Sequence, residues 1–148
     1  MAMIYLRTII FILLSGVLLT SFGCTKNGNR GTIPVTVTVK YNGVPVQEAV
    51  VVFIAENNYA NGLTNKSGFA RMSTFQSGDG VIPDNYNVTI YKAEVVEELD
   101  PNKPPGMNVI SSKTIFHIPE KYGEISTSGL VVYVTENDSN NYVFELVD

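Results

Sequence analysis

The sequence predicts an all-β fold, an antiparallel β-sandwich of about seven strands. Three observations predict it. Apolar and polar residues alternate with a period of two in several separate segments, which is the signature of half-buried strands. Those segments are divided by short clusters of Gly, Pro, Asn, Asp and Ser, the residues that turns require. No segment past the N-terminal region carries the 3.6-residue periodicity of an amphipathic helix. With 148 residues, 45% hydrophobic and 16% charged, the chain fits one ordinary domain and is not disordered by composition.

The first strand is the clearest. Ile33, Val35, Val37, Val39 and Tyr41 alternate with Pro34, Thr36, Thr38 and Lys40. Asn42-Gly43 then supplies a hairpin turn that needs positive φ, and Pro45 fixes the exit direction. The run Ala49 to Ala55 is apolar at every position, which predicts a strand buried on both faces and central in its sheet. Thr32 to Glu56 is therefore read as a hairpin of two strands, and residues 56–68, rich in Asn and Gly, as loop.

A tight turn is expected within it at Thr64 to Gly68, leading into a short strand from Gly68 to Thr74. A second polar turn covers Gln76 to Asp84, and Tyr86, Val88 and Ile90 share one face of the next strand. The acidic run Glu94 to Asp100 is compatible with one helical turn, because Pro101, Pro104 and Pro105 forbid a longer helix. Residues 100–113 are expected to form an exposed excursion, the longest irregular piece of the chain. Leu130, Val132 and Val134 mark one strand, and Tyr142, Phe144 and Leu146 the last, joined by a polar hairpin loop at Glu136 to Asn140.

The N-terminal segment reads as an address. Arg7 provides a positive n-region, Ile9 to Leu19 an apolar h-region, and Ser21 and Gly23 the small residues of a cleavage site. Cys24 follows directly, and this ending resembles the lipobox of bacterial lipoproteins, although Ser21 stands where that family usually has Leu. The resemblance implies that the thiol of Cys24 carries lipid and becomes the mature N-terminus. Three parts are expected: a lipoprotein signal peptide over 1–23, a flexible polar tether over 24–31, and the β-sandwich over 32–148. The expected location is extracytoplasmic, on a bacterial membrane facing periplasm or exterior. A single acyl chain binds reversibly, whereas several anchor firmly.

The net charge of −4 and pI near 4.9 come with no Lys/Arg cluster, so nucleic acid is not an expected partner. Processing would remove Arg7 and leave the body more acidic, so lipid and not surface charge would hold it to an anionic bilayer.

Three local patterns coincide in the body. The strand ending in Asn42-Gly43 with Pro45, then Ala49, Val51 and Phe53, matches an alternating strand, an NG-x-P turn and A-x-V-x-F. Thr64 to Phe69 matches a T-D-x-x-G-x-F turn, with Asn65 in place of Asp and Phe69 one residue early. Gly80 to Val88 is similar to G-x-x-P-G-x-Y-x-V, with Asp84 and Asn85 where one glycine is usual. Together these resemble the carboxypeptidase regulatory-like domains, whose fold is a transthyretin-like (prealbumin-like) sandwich with Ig-like Greek-key order. Ile118 to Tyr122 and Ser126 to Leu130 extend the likeness to small lipoproteins abundant in planctomycetes. The resemblance implies a module that is usually non-catalytic and serves spacing, adhesion or binding.

A Ser-His-Asp arrangement has only His117 to draw on, and the alternation in Ile115 to Ile118 sets it on a surface face. Transthyretin-like hydrolases are built around several histidines and a tyrosine-ended tail, whereas this chain has one His and ends in Glu145-Leu146-Val147-Asp148. No His/Glu zinc ligand set is present. Oxygen ligands for calcium occur only as ordinary turn clusters at Glu136 to Asn140 and at Asp79 and Asp84, matching no EF-hand pattern.

The expectation is therefore a non-enzyme without catalytic residues, metal or cofactor. Its partners would be the membrane through Cys24 and an envelope protein or glycan. The alternative is a carbohydrate- or peptide-binding module using loops 56–64 and 100–113, with Tyr59 and Tyr122 as contacts that can stack on sugars, and a transthyretin-like hydrolase is a minor alternative.

Overall fold

In the computed structural model, which describes residues 31–148, two four-stranded sheets face one another and a third, two-stranded ribbon projects from them. The expected signal peptide, Cys24 and all but the last residue of the expected tether lie outside the described residues. Ten strands occur: β1 (Thr36–Tyr41), β2 (Val44–Pro45), β3 (Val50–Ile54), β4 (Tyr59–Leu63), β5 (Phe69–Arg71), β6 (Asp84–Tyr91), β7 (Ala93–Leu99), β8 (Val109–Phe116), β9 (Leu130–Val134) and β10 (Asn141–Leu146). A 3-10 turn at Glu120–Gly123 and the short helix α1 (Ile125–Ser128) separate β8 from β9.

The first sheet has β1 at its centre. β10 lies on one side, and β2 and β5 share the other, β2 pairing at Lys40–Tyr41 and β5 at Thr36–Thr38. The second sheet runs β4-β3-β6-β9, antiparallel throughout. Alternation decides what each contributes to the space between. Val37 and Val39 from β1 and Phe144 and Leu146 from β10 meet Val51 and Phe53 from β3, Tyr86, Val88 and Ile90 from β6, and Val132 and Val134 from β9. The Phe53 ring lies 5.7 Å from that of Tyr86 in its own sheet and 6.1 Å, edge-on, from Tyr142 of the opposite one. Both spacings are those of favourable aromatic pairs.

The turn chemistry behaves as the residues require. Asn42 and Gly43 have φ of 50° and 80°, the left-handed pair of a two-residue β-hairpin loop. This hairpin joins β1 to β2, not to β3. After β2 the chain crosses to the other sheet, where the buried Thr64 hydroxyl donates to the Val46 carbonyl (2.6 Å) and accepts from the Ala49 amide (2.8 Å). The expected two-strand hairpin from Thr32 to Glu56 is thus a pair of strands on opposite sides of the core. β3 is central in its sheet as its apolar run predicts, but its outward residues Val50, Val52 and Ile54 are only half-buried.

Further expectations are corrected. Part of the segment expected as loop after Glu56 is strand β4, whose inward residues, Ala60 and Gly62, are too small to register as a hydrophobic pattern. They are small because Met72 fills the space: a Cβ on Gly62 would stand 2.8 Å from its sulfur.

The acidic run at Glu94 to Asp100 is not helical, and the exposed excursion is irregular only over residues 100–108. Residues 94–99 and 109–113 belong to the antiparallel ribbon β7–β8, paired from Ala93↔Phe116 to Leu99↔Val109, with the prolines gathered in its end turn. The β-branched Val95 and Val96 favour strand over helix here.

The segment Glu136 to Asn140 does not close a hairpin. β9 pairs with β6, and the chain passes to the other sheet, where β10 runs parallel to β1. The Asn140 side chain shapes that crossing by donating to the Thr135 carbonyl (2.8 Å) and accepting from its amide (3.1 Å). One pair in the sandwich is therefore parallel, and the described residues form ten strands, eight of them in the two facing sheets where about seven were expected.

Candidate functional site

Each polar side chain singled out in the sequence has a definite place. Asp79 lies in the turn after β5, where its carboxylate accepts from the amides of Thr74 (2.8 Å), Phe75 (3.0 Å) and Gln76 (3.0 Å). Desolvation pushes its pKa up, but these backbone donors outweigh it and hold the carboxyl below its ordinary value. Asp84 accepts from the Asn58 side chain at 2.7 Å and from the Asn85 amide at 2.8 Å, and these bonds lower its pKa in the same order. Both carboxylates organise turns. Among the described residues no group of three or more His, Cys, Asp or Glu is arranged to hold a metal ion.

His117 is exposed at the foot of the ribbon, its Nε2 3.6 Å from Glu94 Oε2 on the adjoining strand. Its backbone N–H continues the ribbon ladder to the Lys92 carbonyl at 2.9 Å. Beside it Ile90, Phe116, Ile118, Pro119 and Gly123 line a cavity of about 170 Å³, smaller than pockets that enclose drug-sized ligands. A wider, open depression of about 590 Å³ lies along β4 between Asn61, Leu63, Arg71, Ser73 and Ser77.

The two tyrosines considered for sugar contact are placed very differently. Tyr122, in the 3-10 turn, is 8% exposed. Its hydroxyl donates to the Val147 carbonyl (3.0 Å) and accepts from the Val147 amide (3.1 Å), so it ties this turn to the end of β10. Lys121 lies over its ring, 5.1 Å from the centroid. Tyr59 opens β4 and is 53% exposed on the outer face of the second sheet. Register puts it beside Ile54, which in turn lies beside Asn87 and then Val131, while Tyr133 flanks Asn85 one step further along. This face thus brings exposed tyrosines and amides together, an arrangement invisible in the sequence because its members come from four strands.

The largest feature that residue-by-residue reading missed is the ribbon. Val95, Val96, Leu99, Val109, Ile110 and Phe116 are all exposed on it, and Met107 in its end turn is 78% exposed. Glu94, Glu97 and Glu98 belong to β7, whereas β8 carries one charge, Lys113. Neither strand pairs with a strand of either four-stranded sheet. An apolar hairpin with both edges and both faces in water is a surface shaped for contact, since such patches are otherwise rare on monomers.

No family model and no curated protein matches the chain. Among solved structures, a 9R-lipoxygenase from Cyanothece PCC8801 overlays on 96% of this chain and 20% of its own, at 10% sequence identity and a TM-score of 0.33.

Proposed function

We propose that the chain is a lipid-anchored, extracytoplasmic β-sandwich with a non-catalytic protein-interaction role at the bacterial cell envelope. Cys24 is the acylated residue, and the β7–β8 ribbon is the contact arm. The observation that carries this reading is the ribbon: exposed Val95, Val96, Leu99, Met107, Val109 and Ile110 gather on a strand pair and its end turn that belong to neither four-stranded sheet. The resemblance to carboxypeptidase regulatory-like domains and to the lipoprotein signal supports the same conclusion.

The test has two arms. Cys24→Ala in the full chain is expected to release the protein from the membrane fraction, and unchanged retention without a lipid mass on the N-terminal peptide overturns the anchor. Replacing residues 96–113 by a short turn is expected to leave the sandwich folded and remove cross-linked envelope contacts; contacts that persist overturn the arm.

A second reading, glycan binding, is favoured by the outer face of β4-β3-β6-β9, where Tyr133 stands beside Asn85 and Tyr59 is separated from Asn87 by Ile54. Tyrosine rings stack on sugar faces while amides hydrogen-bond hydroxyls. Binding on a glycan array that is lost on Tyr59→Ala and kept on trimming the ribbon would install this reading in place of the first.

A further inference from the structure

We infer that the open edge of β8 pairs antiparallel with β8 of a second copy of this chain, joining two ribbons into one four-stranded sheet ordered β7-β8-β8-β7. This rests on the ribbon being a contact arm and names what the arm takes hold of. A two-stranded ribbon is marginal in water and gains from added strands. Its two edges differ in what they accept. β7 bears Glu94, Glu97 and Glu98, so pairing it with itself would bring carboxylates together, which is destabilising.

β8, Val109–Phe116, reads VISSKTIF. It has high β propensity, no proline and one charge, and so it has little to repel a partner strand.

The sequence of β8 is self-complementary about Ser112. A two-fold axis there sets Ser112 opposite Ser112 of the second copy, Lys113 opposite Ser111 and Ile110 opposite Thr114, and the pairing stops at Ile110, where the register of the ribbon shifts between Glu98↔Ser111 and Leu99↔Val109. The two members of each pair share a face, and the β-branched Ile110 and Thr114 meet, the kind of pairing that stabilises sheets. Lys113 would by itself protect an edge. In this register it gains a partner instead. Ser111 pairs with Glu98 across its own ribbon and donates to Glu98 Oε2 at 3.1 Å. Lys113 of the second copy therefore reaches over Ser111 toward that carboxylate, two strand spacings of roughly 4.8 Å away. The two-fold axis makes this exchange twice. A contact of this kind, in which each copy offers the same surface, closes on itself and does not propagate.

The experiment uses the full chain in the cell envelope, read on non-reducing gels against the background that Cys24 gives in the wild type. Ser112→Cys, an exposed and conservative change, is expected to shift the chain to a band at twice the monomer mass. Glu97→Cys, opposite Ser112 on β7, is expected to give no such band, because three strand spacings of about 4.8 Å exceed disulfide reach. Adding Ile110→Lys and Thr114→Lys to Ser112→Cys is expected to abolish the dimer band, and Ile110→Lys with Thr114→Glu to restore it.

A monomeric Ser112→Cys chain, an equal dimer band from Glu97→Cys, or no restoration by the opposite-charge pair overturns the inference. If Ser112→Cys stays monomeric while a photo-cross-linker at the same position captures a different protein, self-pairing falls and the contact-arm reading stands. If it captures nothing, both fall.

Discussion

Asn65 shows how a single side chain can hold a turn. Its Oδ1 accepts from the Ser67 amide (2.9 Å), the Ser67 hydroxyl (2.7 Å) and the Phe69 amide (3.1 Å). Only an acceptor is needed there, so the amide oxygen serves as a carboxylate would. Tyr86 is the counterpart in the core. Its ring is 2% exposed and its hydroxyl donates to the Ile82 carbonyl at 2.8 Å. Desolvation first, and the charge of Asp84 second, push its pKa from 10.0 to about 12. Because the folded state holds this proton more tightly, the associated stability is complete below the unfolded pKa and is lost as pH rises from 10.0 towards about 12. Tyr142, raised by burial and then by Asp138, acts in the same direction. Thermal melts across this alkaline range are expected to show a falling midpoint. Tyr86→Phe is expected to begin about 1 kcal/mol less stable, through the lost hydrogen bond, but to fall less steeply. An unchanged pH slope would refute the assignment to Tyr86.

At the scale of elements, close approach separates glycines that matter from those that merely turn. Gly68 has φ of +74°, and a Cβ there would lie 2.4 Å from the Val39 carbonyl oxygen. Its own carbonyl accepts the Val39 amide at 2.8 Å, holding the turn before β5 against β1. Gly43 has a similar φ of +80° but open space around it. Gly68→Ala is expected to cost at least about 2 kcal/mol, with clash added to strain, and Gly43→Ala only about 1 kcal/mol. Denaturant midpoints test the order; equal losses would mean that the close approach relaxes freely.

The same scale explains what could be read from the sequence. β1, β6, β9 and β10 are legible because one face is dry and the other wet, so their alternation is strong. β4 is not, since Ala60 and Gly62 carry its buried face, and β7 and β8 are not, since their residues are almost entirely exposed and no burial enforces a pattern. Of the candidate site residues, Tyr59 and Tyr122 looked alike in sequence. The bond from Tyr122 to Val147, between residues far apart in the chain, is what distinguishes them.

Across the whole molecule, the closing interaction is the parallel pair β1–β10, which joins the first strand to the last over a sequence separation of 105 residues at Thr36 and Asn141. Pairing of this kind cannot be read from local pattern, because neither strand carries a mark that names its neighbour. It also makes the sandwich interdependent. β10 brings Phe144 and Leu146 into the core and sets Tyr142 against Phe53 of the opposite sheet, while Tyr122 fastens its end.

Contacts so distant in sequence must overcome a large loop-closure entropy before they return any stability, so folding is expected to be slow and to wait on the C-terminal strand. Leu146, fully buried, is the sharpest probe. Leu146→Ala is expected to cost about 2–5 kcal/mol, the range for emptying a packed site of this size. Because its side chain packs in the core shared by the two sheets, fluorescence and far-UV dichroism should still unfold together at a lower denaturant midpoint. Two separated transitions would show that the sheets are stable apart, and would contradict a sandwich closed by its last strand. Removing residues 141–148 goes further: it leaves β1 with an open edge beside an unfilled core, and the expected product is insoluble chain with no cooperative transition.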